Sequence, residues 1–217
     1  IDESFENFSL NSKKISGNAF RINTKVNLND ITLNIPQLNY HKESDVKADL
    51  EIYADVSRNG YKIYSTSYLS DKDLINIFLL RLNKKLQPTN FTEIHIKTFS
   101  DSSKNNDFKI KYNKEKKQTV IEGELFDVQP LLKSLYKTKD KKAFGKDFNT
   151  KLKVNFDKVI TGSNDDVTDL SMIGSIKKGE YTKLSLKGNF SKNEIVEMSI
   201  YQVDQNKKTL QVISDRA

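Results

Sequence analysis

The chain has 217 residues, 36% hydrophobic and 30% charged, with twelve Phe, nine Tyr and no Cys. The lack of cysteine excludes disulfides, thiolate metal ligands and a cysteine nucleophile, and the aromatic content is too high for a disordered chain. The net charge of +7, from 36 Lys+Arg and 29 Asp+Glu, is typical either of an AT-rich coding sequence or of a surface attracted to anionic lipid or nucleic acid.

The N-terminal part of the chain is predicted to consist of strands, because apolar and polar residues alternate along it. The pattern from Phe20 to Ile35 predicts one long strand with a bulge or turn near Asn29-Asp30. A second alternating run extends from Val46 to Val56. The sequence Arg58-Asn59-Gly60 then predicts a hairpin turn into an antiparallel strand that begins at Tyr61.

The segment SDKDLINIFLLRLNKKLQP breaks the alternation and predicts a helix near residues 71–86. Ser70 is the expected N-cap, and Pro88 follows the expected last turn. The apolar stripe of this predicted helix consists of Leu74, Ile75, Phe78, Leu79, Leu82 and Leu86. Such a helix would cover a sheet as a lid or, alternatively, lie on a membrane surface.

Strands are predicted to resume beyond this helix, at residues 94–99, 108–112 and 118–126. Residues 113–117 are polar and separate the last two runs. They therefore predict a hairpin loop between two antiparallel strands.

A second, shorter helix is predicted in the stretch FDVQPLLKSLY, with Asp127 as its cap and Pro130 in its first turn. A basic linker at residues 137–146 follows it. This linker divides the predicted chain into an N-terminal β-rich part, residues 1–137, and a C-terminal antiparallel meander, residues 138–217, that is continuous with it.

The last third of the chain contains the most regular alternation. Turn-like separators such as Lys178-Gly179 and Ser191-Lys192-Asn193 divide its apolar runs. Strands at such short spacing predict antiparallel hairpins rather than βαβ units. The predicted fold class is therefore mainly β: an extended, curled antiparallel meander, as an open β-groove or taco-like half-barrel, with one or two short helices.

Each predicted strand has one apolar face, which a second sheet, a helix or a non-protein molecule must cover. A sandwich would give a closed core, whereas a curled sheet would leave a groove whose inner wall could hold acyl chains. Met172 and Met198 suit such a tolerant lining, although core methionines are common. The predicted groove-lining residues are Leu152, Val154, Phe156, Leu170, Met172, Ile176, Leu184, Leu186, Phe190, Val196, Met198, Ile200, Leu210 and Val212.

The sequence predicts no catalytic residue, no metal site and no cofactor. His41 and His95 stand alone, without the spacing of a zinc-binding motif. Glu122 and Glu124 share one face of a predicted strand, but no second carboxylate is predicted across a cleft from them. The sequence therefore offers no group of catalytic residues that would support an enzyme acting on an acidic or glycan substrate.

Three features bear on partners and on the extent of the chain. Lys109, Lys111 and Tyr112 hint at nucleic-acid binding, but lysines in an amphipathic strand usually face solvent, so no nucleic-acid partner is predicted. No run of about 18 apolar residues is present that would span a bilayer. The chain begins with Ile1 rather than Met, which predicts an excised or processed part of a longer protein.

Five motifs follow one another in the C-terminal half: GELFDVQPLL, LKVNFDKVITG, DLSMIGSIKKG, LSLKGNF and TLQVISDRA, between Gly123 and Ala217. In their order and spacing they resemble the central domain of the AsmA-like envelope proteins of Gram-negative bacteria, the TamB/YhdP type, in particular the alphaproteobacterial members. The first 120 residues resemble this family only in their long amphipathic strands.

The resemblance implies a β-rich, periplasmic segment of a protein anchored in the inner membrane, with the anchor in flanking sequence. It implies phospholipid acyl chains as the partner, conducted passively along a hydrophobic β-groove between the inner and outer membranes. Envelope protein partners stay unspecified. The alternative hypothesis is a structural or protein-interaction module of the bacterial envelope, in which the same strands enclose a closed core.

Overall fold

The computed structural model describes residues 2–5, 7–86, 88–100, 103–137, 149–162, 166–178, 180–191, 194–203 and 207–215. The chain forms two compact units, Ile1–Lys104 (unit 1) and Asn105–Ala217 (unit 2). Strands make up 75% of the residues that the structure describes, which confirms the predicted mainly-β fold class. The division after Lys104 lies well before the one that the sequence predicted at residue 137.

Unit 1 contains ten strands among its described residues, most of them in one sheet. They are β1 (Asp2–Phe5), β2 (Phe8–Ser16), β3 (Ala19–Asn27), β4 (Leu33–Ile35), β5 (Tyr40–Lys42), β6 (Ala48–Ser57), β7 (Gly60–Ser70), β8 (Asp73–Leu82), β9 (Pro88–Asn90) and β10 (Glu93–Ser100). The strand order is β1-β2-β3-β6-β7-β8-β10, with antiparallel neighbours throughout. β9 also pairs with β8, and β4 pairs with β5 in a separate two-stranded sheet that flanks a 3-10 helix, Pro36–Leu38.

The turns of unit 1 agree in part with the sequence predictions. The Arg58-Asn59-Gly60 hairpin is confirmed, since Ser57 pairs with Gly60 where β6 turns into β7. Gly60 has φ of +133°, and a Cβ there would overlap the carbonyl oxygen of Leu82, so only glycine fits. The predicted long strand from Phe20 to Ile35 is instead two strands, β3 and β4, separated by a turn at Asn29-Asp30.

The predicted helix near residues 71–86 is wrong, because this segment contains β8, paired on both sides. Leu79 has φ of +50° and shifts the alternation by one residue. Ile75 and Ile77 lie on the apolar face before it, whereas Leu80 and Leu82 lie on that face after it. An alternation that changes phase in mid-strand leaves apolar residues at spacings that mimic a helical stripe.

Unit 2 contains seven strands and one helix among its described residues. They are β11 (Ser103–Asn113), β12 (Gln118–Asp127), α1 (Gln129–Lys137), β13 (Thr150–Ile160), β14 (Asp166–Lys177), β15 (Glu180–Ser191), β16 (Glu194–Gln202) and β17 (Lys208–Ser214). The strands pair in chain order from β11 to β17. Since the described part of β17 pairs with β16 alone, the sheet of unit 2 is open at this strand.

The predicted short helix is confirmed as α1, where a carboxylate oxygen of Asp127 accepts a hydrogen bond of 3.0 Å from the backbone N–H of Gln129. The predicted hairpin between β11 and β12 is also confirmed, by the pairing of Asn113 with Gln118. The predicted antiparallel meander is interrupted at one place, since β12 and β13 are parallel and the sheet is therefore mixed. Parallel neighbours require a crossover connection, and the one between these strands contains α1.

Candidate functional site

Strand register gathers the predicted groove-lining residues of unit 2 on one side of the sheet. Residues that lie directly opposite each other in paired strands point to the same face. One row across β13 to β17 contains Val154, Met172, Leu186, Met198 and Val212. The next row contains Leu152, Gly174, Leu184, Ile200 and Leu210. We call this surface the unit 2 apolar face.

The other predicted residues extend the same face. Phe156 lies opposite Leu170, Ile176 opposite Thr150, and Val196 opposite Gly188. Phe190 is half-buried at the register irregularity that ends β15. The predicted residues therefore share one surface of five neighbouring strands, while their contact with lipid stays a prediction.

The exposure of this face rises steeply from β13 to β17. Val154 on β13 is 6% exposed, whereas Val212, four strands away in the same row, is 57% exposed. The three side chains between them, on β14, β15 and β16, are all half-buried. In the neighbouring row Leu152 is 8% exposed and Leu210 is 60% exposed. The unit 2 apolar face is thus a core at β13 and an uncovered apolar surface at β17.

Three phenylalanine rings hold the buried end of the face together. The centroid of the Phe156 ring lies 5.8 Å from that of Phe108 and 5.3 Å from that of Phe126. Gly123 lies between Phe108 and Phe156 in the register, and a Cβ on it would come within 2.5 Å of the Cβ of Phe108. Only glycine lets these aromatic rings meet across β12, where their contacts add to the stabilisation from burial.

The opposite face of unit 2 is mostly polar, with three exposed isoleucines, and it carries ion pairs. Lys111 Nζ lies 2.5 Å from a carboxylate oxygen of Glu122, and this hydrogen bond lowers the pKa of Glu122 below its ordinary value. Lys109 lies opposite Glu122 on the same face, and Tyr112 lies on the other face, opposite Thr119. The lysines and the aromatic ring that hinted at nucleic-acid binding are therefore on opposite sides of the sheet.

The remaining residues that could have supported an enzyme are not brought together. Glu122 is engaged by Lys111, Glu124 is exposed, and His95 lies on β10 of unit 1, opposite Asn76. In the described ranges, no three acidic or histidine side chains are close enough to share a metal ion.

Unit 1 has an apolar face of the same kind, but its own chain covers it. One row across the sheet contains Phe8, Val26, Leu50, Tyr68, Ile75 and Ile96. Residues 28–47, which we call the connecting segment, link β3 to β6. From this segment Tyr40 packs with Ala48 and Tyr68 in a buried cluster, surrounded by Leu28, Leu33, Ile35, Leu38, Leu50 and Ile75.

A polar network fastens the connecting segment to the sheet of unit 1. The hydroxyl oxygens of Tyr40 and Tyr68 are 2.5 Å apart, and Tyr40 donates a bond of 3.0 Å to a carboxylate oxygen of Asp73. The other oxygen of Asp73 accepts a bond of 2.9 Å from the backbone N–H of Phe99. Burial raises the pKa of Tyr40 and of Asp73 above their ordinary values. Lys42 Nζ, itself buried, donates to the backbone carbonyls of Ile31 and Glu43 at 2.9 and 2.8 Å.

The polar face of unit 1 contains a row of charges that the sequence analysis missed. Arg21, Asp55, Lys62 and Arg81 lie opposite one another on β3, β6, β7 and β8. Part of this row could have been predicted from the Arg58-Asn59-Gly60 hairpin, because that hairpin places Asp55 opposite Lys62. Arg81 joins this row only because residues 73–82 form a strand, whereas the spacing of their apolar residues predicts a helix.

Comparison of the chain with protein-family models, with curated proteins and with solved structures finds no match. Neither helix in the described part of the chain has the length and apolar character needed to cross a membrane.

Proposed function

We propose that unit 2 binds phospholipid acyl chains along its apolar face, as the periplasmic segment of an AsmA-like protein that conducts phospholipid between the inner and outer membranes. The observation that carries this proposal is the uncovered end of the face, where Met198, Ile200, Leu210 and Val212 form a contiguous patch on two strands. Burial of an acyl chain against such a patch is favourable by about 0.8 kcal/mol per CH₂ group.

The composition of the patch favours flexible chains over one rigid ligand. Met172 and Met198 lie on either side of Leu186 in one row, and unbranched thioether side chains adapt to irregular apolar surfaces. The polar face behind the patch stays in water, with ion pairs such as Lys187 with Glu197 at 3.0 Å. A sheet with one wet and one apolar side suits passive transfer, which requires no catalytic group. The anchor in the inner membrane and the direction of transfer belong to the proposal through the family resemblance alone.

The proposal is tested by extracting lipid from the purified chain and measuring it by mass spectrometry. We expect phospholipid to copurify, and we expect Met198→Glu and Ile200→Asp each to lower its amount by about tenfold, because a charge on the patch must be desolvated against the acyl chain. Ser199→Glu is the matched control, since Ser199 lies between these residues on β16 and points to the polar face. Circular dichroism of each variant checks that the sheet is retained.

Two results would contradict acyl-chain binding. One is a chain that purifies without lipid and takes none from phospholipid vesicles. The other is an equal loss of lipid in Ser199→Glu and in Met198→Glu. A lipid-free chain that self-associates through the patch, with a dimer broken by Ile200→Asp, would instead support the alternative, a protein-interaction module of the envelope.

A further inference from the structure

We propose that unit 1 contains a binding site for a phosphate group, in the pocket where the β6–β7 hairpin meets the turn between β8 and β9. This site is separate from the unit 2 apolar face and does not depend on lipid uptake there. Its key residues are Lys62 and Arg81, which face each other on β7 and β8.

The pocket is a shallow, largely open depression with a volume of about 320 Å³, at the lower end of the range for small-molecule sites. Its wall combines strand residues with two turns, and the lining includes Ser57, Asn59, Lys62, Arg81, Asn83 and Thr89. The close packing of Gly60 against the backbone at Leu82 brings the two turns together. Strand pairing therefore fixes the backbone positions from which Lys62 and Arg81 reach the pocket.

The one carboxylate that lines the pocket is already neutralised from outside it. Asp55 accepts a bidentate pair from Arg21, with N–O distances of 2.8 and 3.1 Å, and a bond of 2.6 Å from the hydroxyl of Tyr64. The hydrogen bond from Arg21, with that from Tyr64 and the nearby charge of Lys62, lowers the pKa of Asp55 below its ordinary value, so Asp55 stays ionised with Arg21 as its ion-pair partner. The row therefore has an excess of positive charge at Lys62 and Arg81.

Neither of these two cations has a carboxylate within ion-pairing distance in the described part of the chain. Lys62 Nζ donates a bond of 3.1 Å to the Tyr64 hydroxyl and lies 4.2 Å from the centroid of that ring. This contact orders the ammonium group without cancelling its charge. Arg81 is exposed, and its guanidinium is available as a planar fork of N–H donors.

The combination of donors points to phosphate. An arginine supplies two parallel hydrogen bonds to a tetrahedral anion, while a lysine supplies a compact charge beside them. The hydroxyl groups of Ser57 and Thr89 in the pocket wall already donate to the backbone carbonyls of Gly60 and Arg81, so the donors left for the anion are those of Lys62 and Arg81. A phosphate ester carries a charge of about −1.5 to −2 at neutral pH, whereas a carboxylate carries a single negative charge, so we expect a carboxylate to bind these two cations more weakly.

The phosphate could come from a soluble phosphate ester or from a phospholipid headgroup, and two probes separate these sources. The first probe is glycerol 3-phosphate, titrated calorimetrically into the full chain with sodium acetate as the comparison anion. The second is flotation with phosphatidylglycerol vesicles. We expect saturable binding of glycerol 3-phosphate that is stronger than binding of acetate and weakens as salt is added.

Substitutions in the pocket supply the decisive contrast. We expect Arg81→Gln and Lys62→Gln each to weaken binding of glycerol 3-phosphate by about tenfold. Lys183→Gln is the matched control, because it removes one charge from an exposed strand lysine on the polar face of unit 2, and we expect it to leave binding unchanged. If the pocket variants lower vesicle flotation as well, the source is a headgroup; if they lower only soluble binding, it is a free phosphate ester.

Either of those patterns supports the phosphate site. The site is refuted if glycerol 3-phosphate shows no saturable binding up to about 10 mM while vesicle flotation is the same for the wild type and Arg81→Gln. It is also refuted if Lys183→Gln weakens binding as much as Arg81→Gln does, since general positive charge would then explain the attraction. If Met198→Glu loses lipid but still binds glycerol 3-phosphate like the wild type, the phosphate site of unit 1 works independently of the apolar face of unit 2.

Discussion

The apolar faces of the two units have the same alternation but opposite degrees of exposure. In unit 1, Tyr68 is 4% exposed because the connecting segment lies on it, whereas in unit 2 Leu210 is 60% exposed. The difference follows from the connections between strands. Residues 28–47 are long enough to fold back over the sheet, while connections such as the one from the end of β14 at Lys177 to the start of β15 at Glu180 are too short to cover a face. Connection length therefore separates the covered apolar face of unit 1 from the exposed apolar end of unit 2.

The largest expected effect comes from removing the ring that covers the face of unit 1. Tyr40→Ala deletes a side chain that is 2% exposed, and we expect a loss of about 3–5 kcal/mol in the free energy of unfolding. Because the protein has no Trp, unfolding in denaturant is followed by circular dichroism. Tyr201→Ala is the matched control for deletion of a ring, since Tyr201 is 45% exposed on β16, and an equal loss there would show that the cover over Tyr40 does not set the cost.

A smaller effect is expected when only the hydroxyl of this tyrosine is removed. Tyr40→Phe keeps the ring but leaves the Tyr68 hydroxyl and the Asp73 carboxylate without the partner that they share. A buried polar group that loses its partner costs about 1–3 kcal/mol. We expect this loss in denaturant unfolding, together with faster hydrogen exchange in β5. Unchanged exchange would show that apolar contact alone holds the connecting segment.

The pH dependence of unfolding should also distinguish Asp73, which is bonded to the connecting segment, from Asp55 in the row of charges on the polar face of unit 1. Burial raises the pKa of Asp73 above its ordinary value, so the folded state holds this proton more tightly than the unfolded state. The stability from this group is present below the unfolded pKa, about 3.9, and is lost as the pH rises through the folded pKa. Asp73→Asn removes that loss, which is measured as a smaller decrease in unfolding free energy on going from acid to neutral pH.

The carboxylate of Asp55 should behave in the opposite sense. Its hydrogen bond with Arg21 lowers its pKa, so its contribution is present above the unfolded pKa and is lost as the pH falls through the folded pKa. Asp55→Asn should therefore flatten the acid side of the stability profile, and added salt should weaken this contribution because the pair is partly exposed. A profile that changes in the same direction for both variants would contradict the assignment.

The smallest effect is expected at the uncovered end of unit 2. Val212→Ala removes two methyl groups from a side chain that is 57% exposed, and we expect a change within about 0.5 kcal/mol in the lipid-free chain. Val154→Ala, in the same row but 6% exposed, is the matched control and should cost several times more. Similar losses for the two variants would mean that the face is covered along its whole length.

The sequence predicted which side of each strand is apolar far better than it predicted what covers that side. The placement of Met172, Leu186 and Met198 on one face follows from their alternation alone, since each short turn preserves the register. The steep change in exposure between Val154 and Val212 depends on how many strands and rings lie beside each position. That property emerges only when the sheet is assembled.

The errors in prediction have equally local causes. The phase change at Leu79 made β8 look helical, because a left-handed residue inside a strand has no signature in a leucine. The network of Tyr40, Tyr68 and Asp73 joins residues up to 33 positions apart, and the charged row that ends at Arg81 crosses four strands. Both depend on strand register, which single-sequence patterns do not contain until every strand is assigned correctly.

The parallel pairing of β12 with β13 has a consequence for the order in which unit 2 assembles. The β11–β12 hairpin closes across residues 114–117, whereas β12 and β13 meet only after residues 128–149 are bridged. Closing that longer loop costs about 1.5 kcal/mol more in chain entropy, and parallel pairs are slightly less stable per residue. We expect two hairpin groups, β11–β12 and β13–β17, to form first and to join along this seam last, so that the seam is the line along which unit 2 opens under force.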